Sequence, residues 1–186
     1  IATFSISQKM TVAPADAAVG TPLAVTGKGF GASQGVTVYF DEITTVTTST
    51  DSVGSFTLSS LPMPASAFGI HTLRAQDALA NSYSVTVNTL HSLAITPTSG
   101  LIATKVTVTG TGFRASETIA LKFDGVAATT SPVTTDTKGS FSAIFDVPGS
   151  PAGARTVTAA DSSNTATKTF TVTSTAASTP ANGFVG

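Results

Sequence analysis

One phrase is written twice in this chain, and it constrains the fold more than anything else in the sequence. Thr26-Gly27-Lys28-Gly29-Phe30 returns as Thr109-Gly110-Thr111-Gly112-Phe113, about 83 residues on. Ala32-Ser33 then matches Ala115-Ser116, and Val36, Val38, Phe40 and Asp41 match Ile119, Leu121, Phe123 and Asp124. Asp51, Gly54, Ser55 and Phe56 match Asp136, Gly139, Ser140 and Phe141, and Leu61-Pro62 is aligned with Val147-Pro148. Gly69, Thr72, Leu73, Ala75 and Asp77 match Gly153, Thr156, Val157, Ala159 and Asp161. The offset drifts by a few residues, always in loops. Two homologous domains follow, each long enough to bury a modest core.

Each copy reads as strands. Leu23 and Val25 alternate with polar or small residues, as do Val106 and Val108. Val36-Thr37-Val38-Tyr39-Phe40 and Ile119-Ala120-Leu121-Lys122-Phe123 keep a period of two, which turns one face to a core and the other to water. Phe56 and Leu58, Phe141 and Phe145, Leu73 and Ala75, Val157 and Ala159, Val85 and Val87, and Phe170 and Val172 extend the pattern. No segment sustains a helical period. Asp51-Ser52-Val53-Gly54 and Asp136-Thr137-Lys138-Gly139 pair an Asp that bonds its own backbone with a Gly free to take positive φ, so they read as hairpin turns. About seven short strands per copy predict an all-β protein of two tandem immunoglobulin-like β-sandwich domains. With no Cys and no Trp, packing alone must hold the sheets together. Thr, about a fifth of the residues, supplies the β-branched, uncharged outer faces.

The pattern Val-Thr-Gly-x-Gly-Phe, preceded by a strand containing Pro14 or Pro97 and followed by a strand ending in Phe-Asp, resembles the IPT/TIG-like and related bacterial or archaeal Ig-like repeats of cell-surface proteins. The phrase Asp-x-x-Gly-Ser-Phe, then Leu-Pro or Val-Pro, adds to the likeness. It covers the chain from about Met10 to Ser174. The resemblance implies an Ig-like fold and an extracellular setting. It brings no catalytic residues with it.

The expected organisation is an N-terminal extension (1–9), domain 1 (10–89), domain 2 (90–174) and a C-terminal tail (175–186). The connection Thr89-Leu90-His91-Ser92 is too short for free tumbling, so the domains are expected to stack end to end with little bending. Residues 1–9 alternate, with Ala2, Phe4 and Ile6 on one side. They read as the first strand of domain 1, as a strand donated to the open edge of a neighbouring molecule, or as a disordered end. The tail is rich in Ala, Ser, Thr and Pro, for which a disordered end is the default reading, but it ends near Phe184 and Val185, an apolar pair suited to docking in a groove of the same or the next subunit. No basic start with an apolar block opens the chain, so a secreted protein would be represented here in its mature form.

Composition narrows the function classes. A net charge of −1 offers no basic patch for nucleic acid, and a near-neutral surface gives little repulsion between copies. No stretch is apolar enough to cross a bilayer. His71 lies on the phase of Leu73 and Ala75, Arg155 takes its place in the second copy, and His91 lies in the linker; both histidines read as structural. Gly27-x-Gly29 and Gly110-x-Gly112 open no helix, so they are read as strand-end glycines that let Phe30 and Phe113 fold over the core edge. The paired Asp41/Asp124, Asp51/Asp136 and Asp77/Asp161 suggest turn chemistry first and calcium second; no cofactor is expected. Lys122 alternates outward, against an internal isopeptide bond, and Tyr39 and Tyr83 are too few for a sugar platform. The expectation is a non-enzymatic extracellular structural protein. It would be a subunit of a cell-surface filament, self-assembling by strand addition through Ala2, Phe4 and Ile6. The alternative is an adhesive or ligand-binding module of a larger surface protein, with a surface glycan or protein as partner.

Overall fold

The computed structural model describes residues 7–128 and 132–174, and among these every regular element is a strand. Domain 1 contains β1 (Lys9–Ala13), β2 (Asp16–Ala18), β3 (Pro22–Lys28), β4 (Gly35–Phe40), β5 (Ile43–Ser49), β6 (Phe56–Pro62), β7 (Gly69–Asp77) and β8 (Ser82–Leu90). Domain 2 contains β9 (Ser92–Thr96), β10 (Ser99–Gly100), β11 (Lys105–Thr111), β12 (Thr118–Phe123), β13 (Val126–Ala127), β14 (Val133–Thr134), β15 (Phe141–Asp146), β16 (Gly153–Ala160) and β17 (Thr165–Val172). Each domain is a two-sheet sandwich. The sheet β1-β3-β6 faces β2-β8-β7-β4-β5; the sheet β15-β11-β9 faces β10-β17-β16-β12-β13, with β14 also paired to β12. The two tandem Ig-like sandwiches expected from the repeat are present.

Among the described residues the strand count exceeds seven per copy because the first strand is split in both domains and an edge strand is in two pieces in domain 2. The first strand changes sheets at a proline, which has no N–H to give to a ladder. β1 runs antiparallel to β3, and after the cis Ala13–Pro14 bond β2 runs parallel to β8. β9 and β10 repeat this around the cis Thr96–Pro97 bond, with β10 parallel to β17. The long edge strand β5 corresponds in domain 2 to the two short pieces β13 and β14.

Period two places the cores. Val36, Val38 and Phe40 of β4 and Ile119, Leu121 and Phe123 of β12 are buried, while Lys122 between them is exposed. The cores are two separate clusters, one from Met10 to Val87 and one from Leu93 to Val172. β6 departs from simple alternation. Leu58 pairs with Val25 but Leu61 pairs with Leu23, so a bulge returns Leu61 to the core and leaves Leu58 half-buried. This corrects the alignment of Leu61-Pro62 with Val147-Pro148. The counterpart of Val147 is Met63: their N–H groups donate to the equivalent carbonyls of Thr104 (3.0 Å) and Thr21 (2.9 Å). The connection also shortens. β8 continues to Leu90 and β9 starts at Ser92, so His91 alone lies between strands.

The repeated Gly-x-Gly has two distinct jobs. A Cβ on Gly27 would lie 2.0 Å from the Phe56 ring, and one on Gly110 would lie 2.0 Å from the Phe141 ring. The first glycine therefore seats an aromatic ring on bare backbone. The second takes positive φ, +76° at Gly29 and +67° at Gly112, which turns the chain so that Phe30 and Phe113 meet those rings edge-on at 5.4 Å.

Three polar devices close the same end of each sandwich. Buried Thr50 donates to the Gly31 carbonyl (2.6 Å) and accepts the Gln34 N–H (2.8 Å); buried Thr135 does the same with Arg114 (2.6 Å) and Glu117 (2.9 Å). Asp51 and Asp136 accept two turn N–H groups each, from Val53 and Ser55 and from Lys138 and Ser140. Asp77 gathers N–H groups from Gly31, Leu79 and Asn81, and Asp161 gathers those of Arg114, Ser163 and Asn164. Burial pushes both of these carboxyls upward. The hydrogen bonds, led by Gly31 and Asn81 at Asp77 and by Arg114 and Asn164 at Asp161, outweigh it and hold both below the ordinary aspartate value.

Gly110→Ala should lower unfolding free energy by about 1–3 kcal/mol through overpacking against Phe141, whereas Gly35→Ala, with open space at its Cβ, should stay within about 0.5 kcal/mol; urea titration reads both. A depressed native pKa adds stability that is present above the unfolded value, about 3.9, and is lost as pH falls through the native value. Asp77→Asn and Asp161→Asn should each cost about 1–3 kcal/mol at neutral pH and flatten the acid limb of the thermal-melting profile below about pH 4.

Candidate functional site: the joint between the domains

The joint is built from a one-residue connector and a loop of domain 1. Loop 63–68 joins β6 to β7 and carries Phe68 at its end. The Phe68 N–H donates to the Phe113 carbonyl of domain 2 (2.9 Å). The His91 ring makes tilted contacts with Phe68 (centroids 6.0 Å apart) and Phe113 (5.7 Å), and its Nε2 meets the Thr165 carbonyl at 3.1 Å. Its buried Nδ1 has no hydrogen-bond partner, which suits a ring that donates through Nε2 and keeps its lone pair on Nδ1. Gly112 is pressed against the connector: a Cβ there would lie 2.3 Å from the Leu90 carbonyl oxygen.

Loop 63–68 is itself fastened. Ser66 and Thr89 share a buried hydroxyl hydrogen bond of 2.6 Å. His71 of β7 reaches Asp41 Oδ2 through Nδ1 (2.6 Å) and the Ala67 carbonyl through Nε2 (2.8 Å), and its ring stacks on Phe40 at 5.0 Å. Asp41, at positive φ, also accepts the Thr72 N–H (3.0 Å). In domain 2, Arg155 spans the equivalent pair, Asp124 Oδ2 (3.2 Å) and the Pro151 carbonyl (2.7 Å), and Asp124 accepts the Thr156 N–H (2.8 Å). Between loop 63–68 and the Thr137–Lys138 turn of domain 2 lies an open cavity of about 330 Å³, also lined by Phe40, Ile43 and His71.

Ala2, Phe4 and Ile6, and Phe184 and Val185, lie outside the described residues. Residues 9–13 are the first strand of domain 1 itself, paired with Ala24 to Lys28 of β3. The aspartates act in turns and strand ends, and among the described residues no three His, Cys, Asp or Glu side chains gather as a metal site. Tyr39 is covered by the Arg74 guanidinium at 4.2 Å, and Arg74 holds the Glu42 carboxyl below its ordinary value through a hydrogen bond. No helix among the described residues is long and apolar enough to cross a membrane. Sequence reasoning placed His71 and His91 as structural. It missed the partners of both, because Asp41 and Phe113 are brought to them from distant strands. The shared position of His71 and Arg155 beside paired Asp41 and Asp124 was the available signal.

Residues 90–176 match the IPT/TIG domain family. No curated protein matches the chain. Among solved structures, the adhesin InvE of Yersinia pseudotuberculosis is 13% identical with a TM-score of 0.40, over 89% of this chain and 58% of that one. Invasin, a bacterial integrin-binding protein, is 19% identical with a TM-score of 0.39, over 90% of this chain and 40% of that one. The D0-D1 domains of intimin are 15% identical with a TM-score of 0.36, over 88% and 98%. The chain thus spans about half the length of the first two structures. Residues 90–176, a little under half of the chain, thus resemble the IPT/TIG domain family, and the first domain repeats the two-sheet arrangement of the second.

Proposed function

We propose that this chain is a stiff two-domain segment of a larger extracellular cell-surface protein, serving an adhesive or ligand-presenting role without catalysis. The observation that carries the reading is the joint. A single connecting residue, tilted aromatic contacts of His91 with Phe68 and Phe113, and a main-chain hydrogen bond from Phe68 to Phe113 fasten two self-sufficient cores to each other. Such coupling suits a module that holds a binding surface at a fixed distance and angle. The polar side chains support the same role: the histidines and the paired aspartates are spent on turns, strand ends and the joint.

Inserting Gly-Gly-Ser between Leu90 and His91 should uncouple the domains, so that ¹⁵N relaxation changes from one shared rotational correlation time to two. Equal tumbling of wild type and insertion variant would sink the stiff-segment reading. Light scattering and negative-stain microscopy of the purified chain should show monomers, and antibodies should label intact source cells. Filaments that disappear on deleting residues 1–8 would instead favour strand donation through Ala2, Phe4 and Ile6.

A further inference from the structure

We infer that His71 is a proton-dependent clamp on the loop that carries Phe68, so that protonation stiffens the joint between the domains and deprotonation loosens it. The inference rests on the joint being a rigid coupling, as proposed above.

The geometry argues for it first. Both ring nitrogens of His71 face groups that accept and do not donate, the Asp41 carboxylate at 2.6 Å and the Ala67 carbonyl at 2.8 Å. A neutral imidazole has one N–H and satisfies one of them; the other contact then sets a lone pair against an oxygen. Both contacts are hydrogen bonds only when the ring carries both protons. Histidine is the side chain whose charge ordinarily changes between about pH 5 and 8.

The second copy supplies an independent observation. Arg155 occupies the position of His71 and bridges the same two kinds of acceptor, Asp124 and the Pro151 carbonyl. Arginine donates on both sides and is always charged. The fold therefore uses a two-sided cation at this place, and domain 1 alone makes it titratable. The exchange falls where it has consequences. Ala67 is adjacent to Phe68, whose N–H crosses to Phe113, whereas the position equivalent to Phe68 in domain 2 is Ala152.

The charged groups around the ring act in opposite directions, with the carboxylate the one in direct contact. Asp41 favours the cation. Glu42, beside it in sequence, is held by Arg74. Lys138, from the domain 2 turn, lines the same cavity and opposes protonation.

The test uses the full chain with His71→Arg and His71→Gln. Imidazole ¹⁵N shifts report the protons on His71, relaxation of residues 64–68 reports the loop, and residual dipolar couplings report the joint. At about pH 5.5 the wild-type ring should carry both protons, and raising the pH to about 8 should increase the open population of the loop roughly tenfold, the effect of losing one charge-assisted hydrogen bond. His71→Arg, built on the geometry of Arg155, should hold the loop closed at both values; His71→Gln should be open at both. A singly protonated His71 at pH 5.5 overturns the inference. So does a doubly protonated ring with a loop as indifferent to pH as in His71→Arg, an outcome that leaves the stiff segment standing. Domains that tumble independently in wild type and His71→Arg at every pH overturn both.

Discussion

The fold depends on aromatic rings laid directly on glycine backbone. Phe56 over Gly27 and Phe141 over Gly110 bring the β3–β6 and β11–β15 pairs into contact at the very end of each sandwich. No disulfide links the sheets in this cysteine-free chain; the ring contacts of Phe30 with Phe56 and of Phe113 with Phe141, made where the chain crosses from one sheet to the other, help keep each end shut. The neighbouring glycine, in the left-handed region, then aims Phe30 or Phe113 at the same ring. Two small residues thus fix the position of two large ones, and everything that closes over that end is arranged around them.

What closes over it is polar and local. Asp77, Thr50 and Asp51, with their counterparts Asp161, Thr135 and Asp136, take up backbone groups that the strands leave unpaired where they turn. The devices are duplicated almost atom for atom. The joint is not. It draws on Phe68, His91 and Phe113, and the place of Phe68 is taken by Ala152 in the second domain. The shared unit makes a stable sandwich; the few residues outside its common pattern determine how one sandwich grips the next.

Much of this was readable from the chain. The duplicated phrase gave the number of folded units, and alternation at Val36, Val38 and Phe40 gave the buried face, because a strand's side-chain period is a local property. The turn roles of Asp51 and Asp136 were legible for the same reason. Leu61 was misaligned because a bulge shifts phase without leaving a mark in hydrophobicity. The Thr50 bridge and the Asp41–His71 pair were invisible because each joins residues far apart in sequence. The joint was half legible: the short connection showed that the domains must lie close, but the contact of His91 with Phe113 depends on where a distant loop arrives.

The strand that changes sheets has a mechanical meaning. β2 lies parallel to β8, the strand that leads out of domain 1, and β10 lies parallel to β17 in the same way. If the chain is drawn out from its two ends, these paired segments are pulled past each other along their length. Their hydrogen bonds, such as those from Asn88 to Ala15 (2.7 Å) and from Thr171 to Thr98 (2.9 Å), are then loaded together rather than unzipped one by one. A tether anchored at one end and gripping something at the other meets tension of this kind, and the short second piece of each leading strand is placed to resist it.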